Sequence, residues 1–132
     1  MPARPSRCRP LRGSDLIRFW RATINSRNGF AFAIRSEQAI REEVVALALS
    51  LPLAWLCGAT MMRRVELVAA VGLVLVVELL NTAIEKLSDR LTTDHDPQIG
   101  RVKHMGSAAV GVTLVMTGTF WLFAIVERMG GI

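Results

Sequence analysis

A chain of 132 residues holds one domain and no more. With 52% of its residues hydrophobic and 20% charged, it departs only modestly on average from a soluble domain, where charge runs at about 25%, and the excess apolar content is clustered. The net charge of +5 is unevenly spread: residues 1–36 carry eight arginines against the single acid Asp15. Such a head is drawn to anionic phosphate on lipid, nucleotide or nucleic acid, and the apolar runs that follow disfavour nucleic acid. Cys8 and Cys57 make no disulfide framework and have no metal-ligand spacing.

Residues 1–14, with Pro2, Pro5, Pro10 and Gly13, read as a disordered basic N-terminus. No apolar core and small-residue cleavage site follow the arginines before residue 40, so the head is expected to stay on the protein. Over 15–35, Leu16, Ile17, Trp20 and Ile24 share one helical stripe flanked by Arg18 and Arg21. That pattern predicts an amphipathic helix lying in the membrane interface, with plain anchoring to anionic lipid as the simpler reading of its charge.

Three apolar stretches come next. Val44 to Ala59 carries no charge, and its internal Pro52 is tolerated in a span because neighbours can satisfy the freed carbonyl. Leu67 to Val77 continues past Glu78 through Leu79, Leu80, Ala83 and Ile84. Met105 to Val126 is uncharged throughout and long enough to cross the hydrocarbon core, which takes about 20 residues. Three such runs leave too little amphipathic surface to wrap them in a soluble fold. The fold class expected is an all-α membrane protein, a surface helix plus three transmembrane helices over about 40–60, 64–90 and 103–127, forming a single domain over 15–132. The basic head and the loop bearing Lys86, Arg90, Arg101 and Lys103 face the cytoplasm by the positive-inside rule. Arg63 and Arg64, in the outer link, oppose that rule but are outnumbered.

The second span carries Glu78, Asn81, Glu85 and Asp89. At about 100° per residue they lie near about 0°, 300°, 340° and 20°, an arc of about 80°. Carboxylates in or near hydrocarbon cost a few kcal/mol each, so this face demands a partner, a proton or a cation. For Glu78 and Asn81 the bland reading is interhelical glue. For Glu85 and Asp89 it is a solvated helix end. The chemical reading is a general base at the interface, with paired oxygens suited to Mg²⁺ beside phosphates. Lys103 and His104 open the third span, where free N–H groups and a cation attract phosphate. Ser107, Gly111 and Gly118 read as small packing residues. Glu37 with Arg41 can be a simple helix pair, and Glu66 lies off the polar arc. No GxxxxGK[ST] and no kinase-type glycine-rich strand is present, so any nucleotide site is of another kind.

The run Val77-Glu78-Leu79-Leu80-Asn81-Thr82-Ala83-Ile84-Glu85, then Asp89-Arg90, then Gly100-Arg101-Val102-Lys103-His104-Met105-Gly106-Ser107-Ala108-Ala109-Val110, resembles the small integral-membrane diacylglycerol kinases of bacteria. Glu37-Gln38-Ala39-Ile40-Arg41-Glu42-Glu43 fits the same family's E-x-A-F-R-x-E, with Ile40 in place of Phe. The resemblance covers about 18–128. It implies a homotrimer with composite sites between subunits, in the inner membrane, transferring the γ-phosphoryl of MgATP to diacylglycerol to give phosphatidic acid. Carried over, Glu78 is the base and Asn81 its support, Glu37 and Glu85 hold metal and nucleotide, and Arg18, Asp89, Asp94, Lys103 and His104 engage ATP. Glu43, Glu78 and Ser107 adjoin the lipid substrate.

Two departures stand out. His104 occupies a position where the family has Asp, and Asp94-His95-Asp96-Pro97 replaces its E-Y-H-E, so that Asp94 or Asp96 is left to restore the missing carboxylate. The alternatives are an undecaprenol kinase, a non-catalytic paralogue disabled at His104, and a small proton-coupled transporter in which Glu78 cycles a proton.

Overall fold

The structure, a computed structural model, describes residues 13–91 and 96–130. The described residues form four helices: α1 (Gly13–Ser36), α2 (Gln38–Cys57), α3 (Met61–Leu91) and α4 (Pro97–Arg128). They divide into two compact units, one ending at Ser36 and one beginning at Glu37.

The first unit is α1. Arg18 and Arg21 are exposed, and so are the apolar side chains between and beside them, including Leu16, Ile17, Phe19 and Trp20. The helix extends slightly beyond the expected 15–35 at both ends. The N-terminal segment expected to be disordered lies largely outside the described residues.

In the second unit α3 is the middle helix, packed along α2 on one side and α4 on the other, while α2 and α4 meet over only a few residues. Small side chains allow the close approach. Ala54, Leu67 and Ala124, one from each helix, form a buried cluster with Cys57, Val68 and Trp121 packed against it. Midway along, Thr117 Oγ1 donates to the carbonyl of Ala70 at 3.1 Å, tying α4 to α3. At the end where α3 begins, Arg63 reaches Glu66 at 2.8 Å and Glu127 of α4 at 2.9 Å. One of the two arginines that oppose the orientation rule is thereby neutralised within the bundle.

Helix boundaries differ from the sequence expectation for identifiable reasons. α2 runs unbroken through Pro52 but stops at Cys57, because Gly58 leaves the helical conformation at φ −77°, ψ 117° and caps it by donating to the Ala54 carbonyl at 2.8 Å. α4 starts six residues ahead of the expected 103. Asp96 is its N-cap, with Oδ1 accepting from the backbone N–H of Gln98 at 2.7 Å and of Ile99 at 3.5 Å, and Pro97 fits the first turn, where its missing N–H costs nothing. Asp96, one of the two acids left to replace the missing carboxylate, thus has an oxygen committed to capping.

Among the described residues two helices, α3 and α4, are long and apolar enough to cross a membrane. α2 is not among them, since every eighteen-residue stretch of it includes Arg41, Glu42 and Glu43. α4 bears most directly on environment: only 11% of its apolar stretch is buried within the chain. Val112, Val115, Leu122 and Phe123 all face outward. An apolar helix that a chain leaves uncovered needs lipid or another subunit around it.

Candidate functional site

Polar side chains gather where α2 and α4 begin and α3 ends. Glu78, Asn81, Glu85 and Asp89 follow one face of α3 over about 16 Å of helix axis, at 1.5 Å per residue. Asn81 is buried and Glu78 and Glu85 are half-buried, while Asp89 is exposed. The face therefore runs from the packed interior out to the surface.

Glu78 has a carboxylate oxygen, Oε2, buried without a hydrogen-bond partner among the described residues. Its neighbours are acids: Glu85 on its own helix and Glu43 on α2 both lie close enough to repel it. The repulsion on Glu78 thus comes from two helices, an arrangement that packing alone does not favour. Asn81 Nδ2 donates to Glu85 Oε1 at 3.2 Å, whereas Asn81 Oδ1 is buried without a partner among the described residues. Opposite Asn81 stands Gly106 of α4, also buried, where a Cβ would collide with Asn81 Oδ1. The absence of a side chain at 106 is what admits the amide.

Two ion pairs frame the row. Lys86 Nζ meets Glu37 Oε1 at 2.5 Å, joining the start of α2 to α3. Lys103 Nζ meets Asp89 Oδ1 at 2.5 Å, joining α4 to α3. Ser107 lies one turn beyond Lys103, and both Ser107 and His104 are exposed.

The structure therefore brings together Glu43, Glu78, Asn81 and Glu85, and separately Asp89 with Lys103. It gives Glu37, expected to hold metal and nucleotide, a lysine partner. Arg18 belongs to the first unit, on exposed α1. Asp94 lies outside the described residues. Lys86 and Gly106 are the residues that sequence reasoning passed over: Lys86 counted only toward orientation, and Gly106 only as part of a motif. The signal for Lys86 was local: the inner half of α3 carries Glu78, Glu85 and Asp89, which call for cations close by.

Among the described residues no three His, Cys, Asp or Glu side chains are grouped as a ready-made metal cage. Mg²⁺ does not require one, since it binds through one or two carboxylates and completes its shell with water and substrate phosphates. The unpartnered oxygen of Glu78 fits that demand.

Taken together, apolar helices left open to lipid and acids converging at one end define a small helical membrane protein with an acidic site. Comparison then gives the family: residues 24–125 match the family model described as prokaryotic diacylglycerol kinase, and the chain belongs to that family. It is 34% identical to the diacylglycerol kinase of Escherichia coli (strain K12) over 117 residues, which cover 89% of this chain and 96% of the relative. It is 37% identical to the diacylglycerol kinase of Pseudomonas aeruginosa over 113 residues, covering 85% and 92%. The diacylglycerol kinase of Haemophilus influenzae matches at 34% over 100 residues, covering 76% and 85%. Family and helix character together make this a bacterial membrane protein.

Proposed function

We propose that this protein is an ATP-dependent lipid kinase that transfers the γ-phosphoryl group to the hydroxyl of diacylglycerol, giving phosphatidic acid and ADP. Family membership supports the reaction class. The observation that carries the assignment to this site is the unpartnered Glu78 oxygen held beside Glu43 and Glu85.

In the transfer, the diacylglycerol oxygen forms a bond to the γ-phosphorus while the bond from that phosphorus to the β,γ-bridging oxygen breaks. Glu78 takes the hydroxyl proton, a role its free oxygen suits. Phosphoryl transfer asks little covalent chemistry of a protein and much positioning, so a few charged groups suffice without a glycine-rich loop. A bound divalent cation, with Mg²⁺ the fitting one, neutralises charge on the phosphate oxygens. Glu85 is placed to hold it, and Asn81 orients Glu85 through its 3.2 Å hydrogen bond. Lys103, steadied by Asp89, presents a cation to the nucleotide. Arg18 and His104 are assigned to the nucleotide, as is Asp94, and Ser107 and Glu43 to the lipid.

The surface helix and the bundle work as one kinase domain. α2 serves as a third span with its charged first turns at the cytoplasmic interface, the N-terminus is cytoplasmic, and the chain is a homotrimer in the inner membrane. Charges within a turn or so of a helix end can reach the headgroups, which reconciles Arg41, Glu42 and Glu43 with a spanning α2.

The test is labelled-phosphate transfer from ATP, comparing diacylglycerol with undecaprenol in one preparation. Transfer to diacylglycerol is expected; transfer to undecaprenol alone moves the assignment to that acceptor, and no ATP-dependent product sinks the kinase reading.

The Asp89–Lys103 pair gives a sharper check. Its side chains are 66% and 36% exposed, so as a salt bridge it contributes at most about 1 kcal/mol. Lys103→Met is therefore expected to leave thermal unfolding nearly unchanged. As a charged donor to phosphate, however, Lys103 is worth about 1.5–3 kcal/mol, and its loss should raise KM for ATP about tenfold or more. An unchanged KM removes Lys103 from the nucleotide site.

A further inference from the structure

The far end of the bundle, remote from the acidic site, holds two adjacent arginines with different surroundings. Arg63 is neutralised by Glu66 and Glu127. Arg64 has no carboxylate partner among the described residues. Its guanidinium lies 4.0 Å from the centroid of the Trp55 ring, and its Nε donates to the Gly58 carbonyl at 3.1 Å, leaving the other N–H groups of the fork uncommitted. The placement is built in, because a Cβ at Gly58 would stand 2.6 Å from Arg64 Cγ and 2.8 Å from the Ala54 carbonyl oxygen. Only glycine there lets the arginine fold back over the tryptophan.

Beside this cation runs a groove of about 370 Å³ between α2 and α3, lined by Leu51, Trp55, Val65, Val68 and Arg64. Its walls are otherwise apolar, and Trp55 is 61% exposed along it. An apolar trough with a single uncompensated cation at its mouth matches a molecule with one hydrocarbon chain to lay down and one anionic head to present.

We propose that this groove is a binding site for an anionic membrane phospholipid, with an acyl chain lying along Leu51, Val65 and Val68 and the headgroup phosphate held by the Arg64 fork above Trp55. The site lies in the leaflet opposite the acidic cluster and takes no part in phosphoryl transfer. It accounts for an arginine that the orientation rule disfavours: the charge is compensated by lipid and not by the chain. The assignment rests on the reading that α2 and α3 cross the bilayer.

The test uses the full chain in neutral detergent micelles and reads the Trp55 fraction of fluorescence, obtained by difference from Trp55→Phe. Phosphatidylglycerol brominated on its acyl chains is expected to quench that fraction at about fivefold lower lipid content than brominated phosphatidylcholine, the selectivity of one interfacial cation. Arg64→Gln is expected to erase the difference, and Arg64→Lys to retain part of it. Equal quenching by the two lipids in the wild type, which needs no variant to fold, overturns the proposal. Displacement of the lipid by inorganic phosphate at matched concentration reduces the site to a simple anion site and overturns it too. A Trp55 fraction insensitive to either lipid, with subunit association altered in Arg64→Gln, assigns the groove to a second copy. Transfer from ATP to diacylglycerol, measured in the same micelles, should be equal in wild type and Arg64→Gln, so a failed lipid site and a failed kinase reading give different results.

Discussion

Glu78→Gln is expected to lower lipid phosphorylation by about 10²–10⁴-fold, the usual contribution of a positioned general base, while leaving the protein as stable as before or more so. The amide has nearly the size of the carboxylate, so packing on α3 is retained. It also removes the repulsion that Glu43 and Glu85 exert on Glu78. A structural role predicts the reverse pattern: if Glu78 were interhelical glue, the substitution would lower the unfolding temperature in detergent and affect turnover only in proportion. Measuring both quantities on the same preparation separates the two. Full turnover in Glu78→Gln sinks the base assignment whatever the stability result.

Gly106→Ala should be strongly damaging for a single added methyl group. Its Cβ would press on Asn81 Oδ1, which is buried and confined, so either α4 moves off α3 or the amide rotates and releases Glu85. Overpacking of this kind costs about 1–3 kcal/mol, visible as a lower unfolding temperature. Turnover should fall as well under the proposed mechanism, in which Asn81 orients Glu85 through their hydrogen bond. The cause can be isolated by a double-mutant cycle. In an Asn81→Ala background the obstruction is gone, and Gly106→Ala is then expected to add little further destabilisation. If the two substitutions are simply additive, the Asn81–Gly106 contact is not the source of the loss.

Much of this arrangement is legible along the chain. The face formed by Glu78, Asn81, Glu85 and Asp89 follows from helical periodicity alone, and it survives in the fold because α3 is a regular helix throughout. The spans were legible to different degrees. The span over α4 was plain from run length and that over α3 was interrupted at Glu78, whereas α2 carries its charges inside the helix, where composition by window and the notion of a continuous apolar run part company. Boundaries were the weakest part. The early start of α4 depends on Asp96 and Pro97 acting together, a local cap that hydropathy does not register.

What the amino-acid order determined by itself was therefore the helical class, the apolar lengths that suit a bilayer, and the alignment of acids on one helix, since each depends only on residue type and spacing within a single element. What the tertiary structure alone decided was which charges meet. Glu43 reaches the Glu78 site from another helix, Glu37 is taken by Lys86, and Asp89 is matched with Lys103. At the opposite end, Arg63 is neutralised while Arg64 is not. These outcomes turn on distances between elements far apart in sequence, and Coulomb interactions at the scale of a few ångströms are set by packing, which no periodicity encodes.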